Sequence, residues 1–105
     1  MVVTFEEQYL QDLYELGETK EKKRRYQPNI IRGYQKGIKF MIQAKKPDEL
    51  KKIRSLNFEA LKGDKKGLYS IRANNQYRIE FTINANMEMP ILTVCNIINL
   101  SNHYK

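Results

Sequence analysis

The sequence contains a single cysteine, Cys95, and a single histidine, His103. One cysteine excludes an internal disulfide framework, and the two residues together supply too few ligands for a conventional zinc site. No apolar run is long enough to span a bilayer, and the N-terminal segment lacks the features of a secretion signal. Asp and Glu are not clustered as a two-metal nuclease requires. We therefore expect no metal, no cofactor, no membrane partner and a reducing, cytoplasmic setting.

Positive charge, in contrast, is abundant. The chain has 105 residues, which suits one domain (1–105), and its formal net charge is +7. Residues 1–18 carry only acidic charges and sum to −5, so the remaining chain sums to +12. A surplus of this kind attracts polyanions, of which nucleic acid is the commonest, although it also serves solubility alone.

Helical periodicity dominates the first half of the chain. Apolar residues recur at helical spacing from about Glu6 to Leu16, and Gly17 is placed to end this helix. Before it, Val2–Phe5 is a short β-prone run that predicts an edge strand. The connector 18–25 that follows is rich in lysine and arginine, which fits either a solvated loop or a contact with phosphates.

A second helix is predicted to begin at Pro28, because proline fits the first helical turn. Its apolar stripe consists of Ile30, Ile31, Tyr34, Ile38, Met41 and Ile42. Gly33 and Gly37 weaken this helix but allow close packing against another element. Residues 48–56 predict a short third helix.

The period changes to two in the second half, which indicates strands. Alternating residues predict strands over Tyr69–Ala73 and Tyr77–Ile83, with a tight turn at Asn74–Asn75. A second turn is predicted over 84–90, followed by an apolar central strand over Ile91–Ile98. Helices followed by an antiparallel meander predict an α+β fold.

The hairpin 69–83 also predicts one polar face. If its apolar residues pack on the helices, its polar side chains point outward on the opposite face. The preceding loop adds three lysines, and the C-terminal tail can fold back near the sheet. The candidate residues of this exposed face are Ser70, Arg72, Arg78, Glu80, Lys62, Lys65, Lys66, His103 and Tyr104.

These residue types fit metal-independent RNA cleavage. In this reaction the 2′-hydroxyl attacks the neighbouring phosphorus, and the enzyme removes the 2′ proton, stabilises the phosphorane and protonates the leaving 5′-oxygen. Arginine and lysine supply electrostatic stabilisation, and His103 titrates in the range needed for proton transfer. A structural interpretation stands beside this one, in which Arg78 and Glu80 form a surface ion pair and His103 is a surface residue.

The loop and hairpin resemble a known family pattern. The resemblance extends in outline over the whole chain and is dense between residues 61 and 81. It matches the hallmark of HigB-like toxins of the RelE/ParE superfamily. The residues that carry it are Leu61-Lys62-Gly63-Asp64, Gly67, Tyr69-Ser70-Ile71 and Tyr77-Arg78-Ile79-x-Phe81.

This resemblance implies a microbial-RNase-like fold with N-terminal helices packed on a twisted antiparallel β-sheet. It implies the toxin of a type II toxin–antitoxin system, a ribosome-dependent, metal-independent endoribonuclease that cleaves translated mRNA in the A site and inhibits translation. The implied partners are the ribosome, mRNA and a HigA-like helix-turn-helix antitoxin, through which the complex contacts operator DNA. Two alternatives stay open: a ParE-like toxin that binds DNA gyrase, and a non-catalytic RNA- or ribosome-binding domain.

The resemblance also implies roles for individual residues. Lys62 matches an active-site lysine of the family and Arg78 the arginine that holds the scissile phosphate. The family's Asp-Tyr-His tail corresponds here to Asn102, His103 and Tyr104. An amide therefore replaces the carboxylate, and the histidine and tyrosine are exchanged. This difference leaves open which of the two residues is the general acid and which the general base. The implied catalytic residues are Lys62, Arg78, His103 and Tyr104, and the implied RNA-binding residues are Arg72, Gln76, Tyr77, Lys65 and Lys66.

Overall fold

The protein is built on one mixed β-sheet, in a computed structural model that describes residues 1–86 and 92–102. Its strands lie in the order β1-β5-β4-β3-β2. Strand β1 runs parallel to β5, and the other neighbouring pairs are antiparallel. The strands are β1 Val2–Phe5, β2 Glu59–Ala60, β3 Tyr69–Arg72, β4 Tyr77–Asn86 and β5 Leu92–Asn102.

The α+β class is confirmed, and two details of the predicted sheet are corrected. The sheet is mixed rather than antiparallel, because the helices between β1 and the meander act as a crossover that lets β1 join β5 in parallel. In the described residues it has five strands rather than the four predicted, because β2 was not expected; β1 lies at one edge as predicted and β2 at the other. The middle strand is therefore β4, and β5 lies between β4 and β1.

Two predicted strands extend further than expected. The periodic pattern ends at Ile83, but β4 continues to Asn86, so the first part of the predicted turn 84–90 is strand. Residues 87–91 lie outside the described residues. Strand β5 continues past Ile98 to Asn102, and a register shift opposite Glu80 marks a bulge in the β4–β5 pair.

The helices follow the predicted order. They are α1 Gln8–Glu15, α2 Pro28–Gln43 and α3 Pro47–Lys51. Gly17 follows α1 with a φ of 75°, a conformation that glycine adopts without strain, which confirms its role at the helix end. No helix in residues 1–86 and 92–102 is long and apolar enough to cross a membrane.

The predicted third helix over 48–56 is wrong in its extent. Helix α3 is followed by Ile53 in an extended conformation (φ −91°, ψ 99°) and then by a 3₁₀ helix, Arg54–Leu56. This break lets Leu50 and Leu56 both be buried. In a continuous helix these two side chains, which are six positions apart, would point about 120° apart around the helix axis.

The core lies between the helices and the sheet. Its fully buried side chains include Tyr9, Leu10, Leu13, Tyr34, Ile38, Met41, Leu50, Ile71, Ile79, Phe81, Cys95 and Ile97. Most of the apolar stripe predicted for α2 belongs to this core, but Ile42 is exposed. Gly37 of α2 lies against Ile79, and Gly33 lies against the backbone of Ala73, which confirms the predicted close approach.

Two buried phenols make stability sensitive to alkaline pH. Tyr34 donates a hydrogen bond to the Leu10 carbonyl at 2.7 Å, and burial raises its pKa above the usual value of 10.0. Burial likewise raises the pKa of Tyr9 to about 12. In the unfolded chain these phenols ionise near pH 10, so the unfolded state loses its protons first as the pH rises.

We therefore expect the free energy of unfolding to be highest below pH 10 and to fall as the pH approaches about 12, by roughly 1–3 kcal/mol for Tyr9. Urea unfolding across this pH range measures the effect. In Tyr9→Phe the fall should be smaller. An identical pH dependence in wild type and Tyr9→Phe would contradict the assignment.

Candidate active site

The polar residues of the hairpin share one face, as predicted. Ser70 pairs with Glu80, and Arg72 pairs with Arg78, across strands β3 and β4. The expectation that this face is exposed is wrong for three of them, since Ser70, Arg78 and Glu80 are 0%, 4% and 6% exposed. The covering chain comes from the segment before β3, whose backbone and side chains bind these residues. Only Arg72 remains exposed.

Arg78 is held firmly within this face. Its Nε donates to Ser70 Oγ at 2.8 Å, and its Nη2 donates to the Asn57 carbonyl at 2.5 Å and to the Ser70 carbonyl at 3.3 Å. Asn57 itself has a φ of 45°, which places its carbonyl after the turn that ends the Arg54–Leu56 helix. The guanidinium plane is therefore fixed between β3 and this turn, and it supplies a positive charge of defined position.

Glu80 binds the loop between β2 and β3 that carries Lys62, Lys65 and Lys66, here called the lysine loop. It does not lie in a solvated surface pair. Lys65 Nζ donates to Glu80 Oε2 at 2.6 Å, and Ser101 Oγ donates to the same oxygen at 3.0 Å. The side chain of Glu80 is 7% exposed, whereas that of Lys65 is 50% exposed. This contact ties the loop before β3 to strands β4 and β5.

The other two loop lysines face solvent. Lys62 and Lys66 flank a 3₁₀ helix, Gly63–Lys65, and both are exposed. Gly63 and Gly67 have φ angles of 66° and 98°, so the Gly-Asp-Lys-Lys-Gly turn requires glycine at both ends. The loop therefore presents two solvated ammonium groups beside the buried Arg78–Glu80 face.

A cationic groove lies next to this loop. Its volume is about 490 Å³, and it contains Tyr77 and Lys65 from the predicted set. The connector between α1 and α2 forms one wall, and the C-terminal part of β5 forms another. The lining residues are Lys23, Arg24, Arg25, Tyr26, Lys65, Tyr77, Asn99, Leu100, Ser101 and Asn102.

Sequence reasoning missed several of these residues. The sequence pattern does not point to Tyr26, nor to Asn99 and Ser101 of β5. The signal in β5 was the run Asn-Leu-Ser-Asn, in which polar residues interrupt an otherwise apolar strand at its C-terminal end. Tyr26 carried a weaker signal, as an aromatic residue directly after a run of lysine and arginine.

The remaining predicted residues are distributed differently. Gln76 is exposed in the turn between β3 and β4, where its backbone N–H donates to Asn74 Oδ1 at 2.9 Å. Arg72 lines a separate, smaller groove beside α2 with Lys36 and Phe40, so the structure does not bring it to the cationic groove. His103 and Tyr104 lie outside the described residues.

Metal-ligating side chains do not gather in the described part of the chain. In residues 1–86 and 92–102 no group of three or more His, Cys, Asp or Glu side chains is arranged to hold a metal ion. The buried side-chain nitrogens and oxygens of the same residues all have hydrogen-bond partners.

Comparison with known proteins defines the class. The fold is similar to that of a YoeB/ParE toxin from Agrobacterium tumefaciens, with a TM-score of 0.57 and 17% identity over 99% of this chain and 100% of that one. A search of curated proteins finds no match. The family model for the HigB-like toxin, a RelE-like toxin of the type II toxin-antitoxin system HigB, matches residues 3–92. The chain belongs to this family, which confirms the resemblance and implies an antitoxin partner.

Proposed function

We propose that this toxin is a ribosome-dependent, metal-independent endoribonuclease that cleaves mRNA during translation and thereby inhibits it. The observation that carries the proposal is the fixed guanidinium of Arg78, which lies on the strand pair that also anchors the lysine loop. Cationic groups of fixed position can stabilise a phosphorane without help from a metal ion.

In the proposed reaction the RNA 2′-oxygen forms a bond to phosphorus and the bond to the 5′-oxygen breaks. The products are a 2′,3′-cyclic phosphate and a 5′-hydroxyl. Lys62 and Arg78 stabilise the negative charge of the phosphorane, and His103 and Tyr104 transfer the protons. Asn102, which precedes these two residues in the chain, lines the cationic groove.

The proposed partners follow from the same function. The ribosome presents the mRNA, and the positive charge of residues 19–105 favours contact with ribosomal RNA. A HigA-like antitoxin with a helix-turn-helix domain would neutralise the toxin in the cytoplasm and carry the complex to operator DNA.

Translation of a defined mRNA with purified components tests this function. We expect the wild-type chain to cut inside the codon in the ribosomal A site and not to cut the same mRNA without ribosomes. Intact mRNA together with inhibition of DNA gyrase supercoiling would contradict the proposal and support a ParE-like activity. Intact mRNA with retained ribosome binding would support a non-catalytic domain.

Lys62 offers the cleanest substitution, because its side chain is exposed in a loop. We expect Lys62→Ala to lower the cleavage rate about 100-fold, the size of effect seen when one transition-state donor is removed. The melting temperature should not change. Lys52→Ala removes another exposed lysine, directly after α3, and should cut at the wild-type rate. Equal rates for Lys62→Ala and Lys52→Ala would contradict a catalytic role for Lys62.

A further inference from the structure

Two tyrosines, Tyr26 and Tyr77, form an aromatic corner in the cationic groove. The rings of Tyr26 and Tyr77 meet edge to face, with centroids 5.6 Å apart and planes at 86°. The Tyr26 hydroxyl donates to the Leu100 carbonyl at 3.0 Å, which fixes that ring against β5. The backbone N–H of Tyr77 donates to Asn74 Oδ1 at 2.7 Å, which fixes the backbone that carries the other ring at the hairpin turn.

Cations surround this corner. Arg24 is held in place, because its guanidinium lies 4.7 Å from the centre of the Tyr9 ring. Lys23 and Arg25 are exposed and line the same groove. No carboxylate is among the lining residues that the structure describes, although the chain has 12 acidic residues. A groove with this charge favours an anionic ligand.

Polar side chains complete the groove. Asn99 Oδ1 accepts a hydrogen bond from the Tyr9 hydroxyl at 3.4 Å, which orients its amide, and Ser101 is held by Glu80. Amide and hydroxyl groups of fixed orientation can bond to the edge of an unstacked base. A volume of about 490 Å³ is also within the usual range of small-ligand sites.

We propose that this groove binds one unpaired nucleotide of an RNA strand. The base stacks against the Tyr26–Tyr77 pair, and the adjoining phosphate lies near Lys23 and Arg25. Aromatic rings beside exposed cations are the arrangement by which proteins hold single-stranded nucleic acid. Under the proposed function, on which this identification of the ligand rests, the nucleotide is a neighbour of the scissile phosphate.

A short single-stranded RNA that contains 2-aminopurine tests the groove without ribosomes. Cleavage is prevented by 2′-deoxy substitution, and the readouts are anisotropy and the loss of 2-aminopurine fluorescence on stacking. We expect quenching by the wild-type chain and by Tyr77→Phe, which keeps the ring. Tyr77→Leu should abolish the quenching and weaken binding about 10-fold, within the range measured for one base–aromatic stack.

The phosphate contact has a charge-matched control. Arg25→Gln and Arg32→Gln each remove one exposed arginine, but Arg32 lies on α2 and is not among the groove's described lining residues. We expect the first substitution to weaken binding several-fold more than the second, and to reduce the salt dependence of binding.

The outcomes separate this inference from the proposed function. Quenching that persists in a folded Tyr77→Leu chain would overturn the nucleotide groove, even if the wild-type chain cuts mRNA on ribosomes. Conversely, quenching that depends on Tyr77 in a chain that cuts no mRNA would support the groove and contradict the nuclease. Equal weakening by Arg25→Gln and Arg32→Gln would overturn the phosphate contact.

Discussion

Arg78→Ala is expected to reduce mRNA cleavage at least 100-fold and also to destabilise the protein by about 2–4 kcal/mol. The second effect follows from burial. Arg78 is 4% exposed, and it donates to acceptors on Ser70 and Asn57 that would lose their partner. The free energy of unfolding falls for two reasons: buried acceptors are left without a donor, and the removed side chain leaves a cavity. Loss of activity in this variant alone would therefore not identify a catalytic residue.

Two further variants separate the two effects. Arg78→Lys keeps the positive charge but cannot donate to Ser70 and Asn57 in the same fork geometry, so we expect partial recovery of stability and cleavage at least 10-fold below wild type. Arg72→Ala removes the exposed arginine paired with Arg78 across the strands, and its stability should stay within about 0.5 kcal/mol of wild type. Urea unfolding and single-turnover cleavage are measured on the same preparations. Near-wild-type cleavage by folded Arg78→Ala would contradict the assigned role.

Gly33→Ala is expected to give the largest loss of stability among the helix substitutions. A Cβ at this position would lie 2.0 Å from the Ala73 carbonyl oxygen and 2.9 Å from its carbon. Both atoms belong to the backbone of the hairpin, so α2 would have to move away from β3. We expect a loss of about 3 kcal/mol, which exceeds the gain of roughly 1 kcal/mol in helix propensity.

Gly37→Ala is the matched control for this clash. Its Cβ would lie 2.6 Å from Ile79 Cδ1, the end of a flexible side chain, which can rotate at a smaller cost. Exposed Lys39→Ala on the same helix controls for helix propensity alone. Urea unfolding of the three variants should rank Gly33→Ala as the least stable. A Gly33→Ala chain as stable as Gly37→Ala would show that the close approach to Ala73 does not constrain the helix.

Local patterns were sufficient for most of the fold. Helix α2 begins at Pro28 as predicted, because proline suits the first helical turn. The hairpin turns at Asn74–Asn75, but its loop spans residues 73–76 and neither asparagine has a positive φ. Asn74 acts instead through its side chain, whose Oδ1 accepts the backbone N–H groups of Gln76 and Tyr77. The two glycines of α2 also predict its close packing correctly, because glycine weakens a helix but lets another element approach it closely.

Long-range contacts were harder to predict. Periodicity showed that Ser70, Arg78 and Glu80 share a face, but not that the segment before β3 folds over it. That cover depends on one backbone carbonyl at Asn57 and one ammonium at Lys65, which no repeat in the sequence signals.

The parallel pairing of β1 with β5 and the cationic groove are hard to predict for the same reason. Each brings together segments that are far apart in the chain. Residues in register in β1 and β5 are about 90 positions apart in the chain. The groove combines the connector, the start of β4 and the end of β5, and no single stretch of sequence contains it. Predicting either feature requires the folded topology and not only the local pattern.

The most direct test of the central claim is the chemistry of the RNA ends after translation of a defined mRNA with the wild-type chain. We predict a 2′,3′-cyclic phosphate upstream and a 5′-hydroxyl downstream of a cut inside the A-site codon, with both ends about 100-fold less abundant for Lys62→Ala. Intact mRNA with the wild-type chain, or cut ends that carry a 5′-phosphate, would contradict the account.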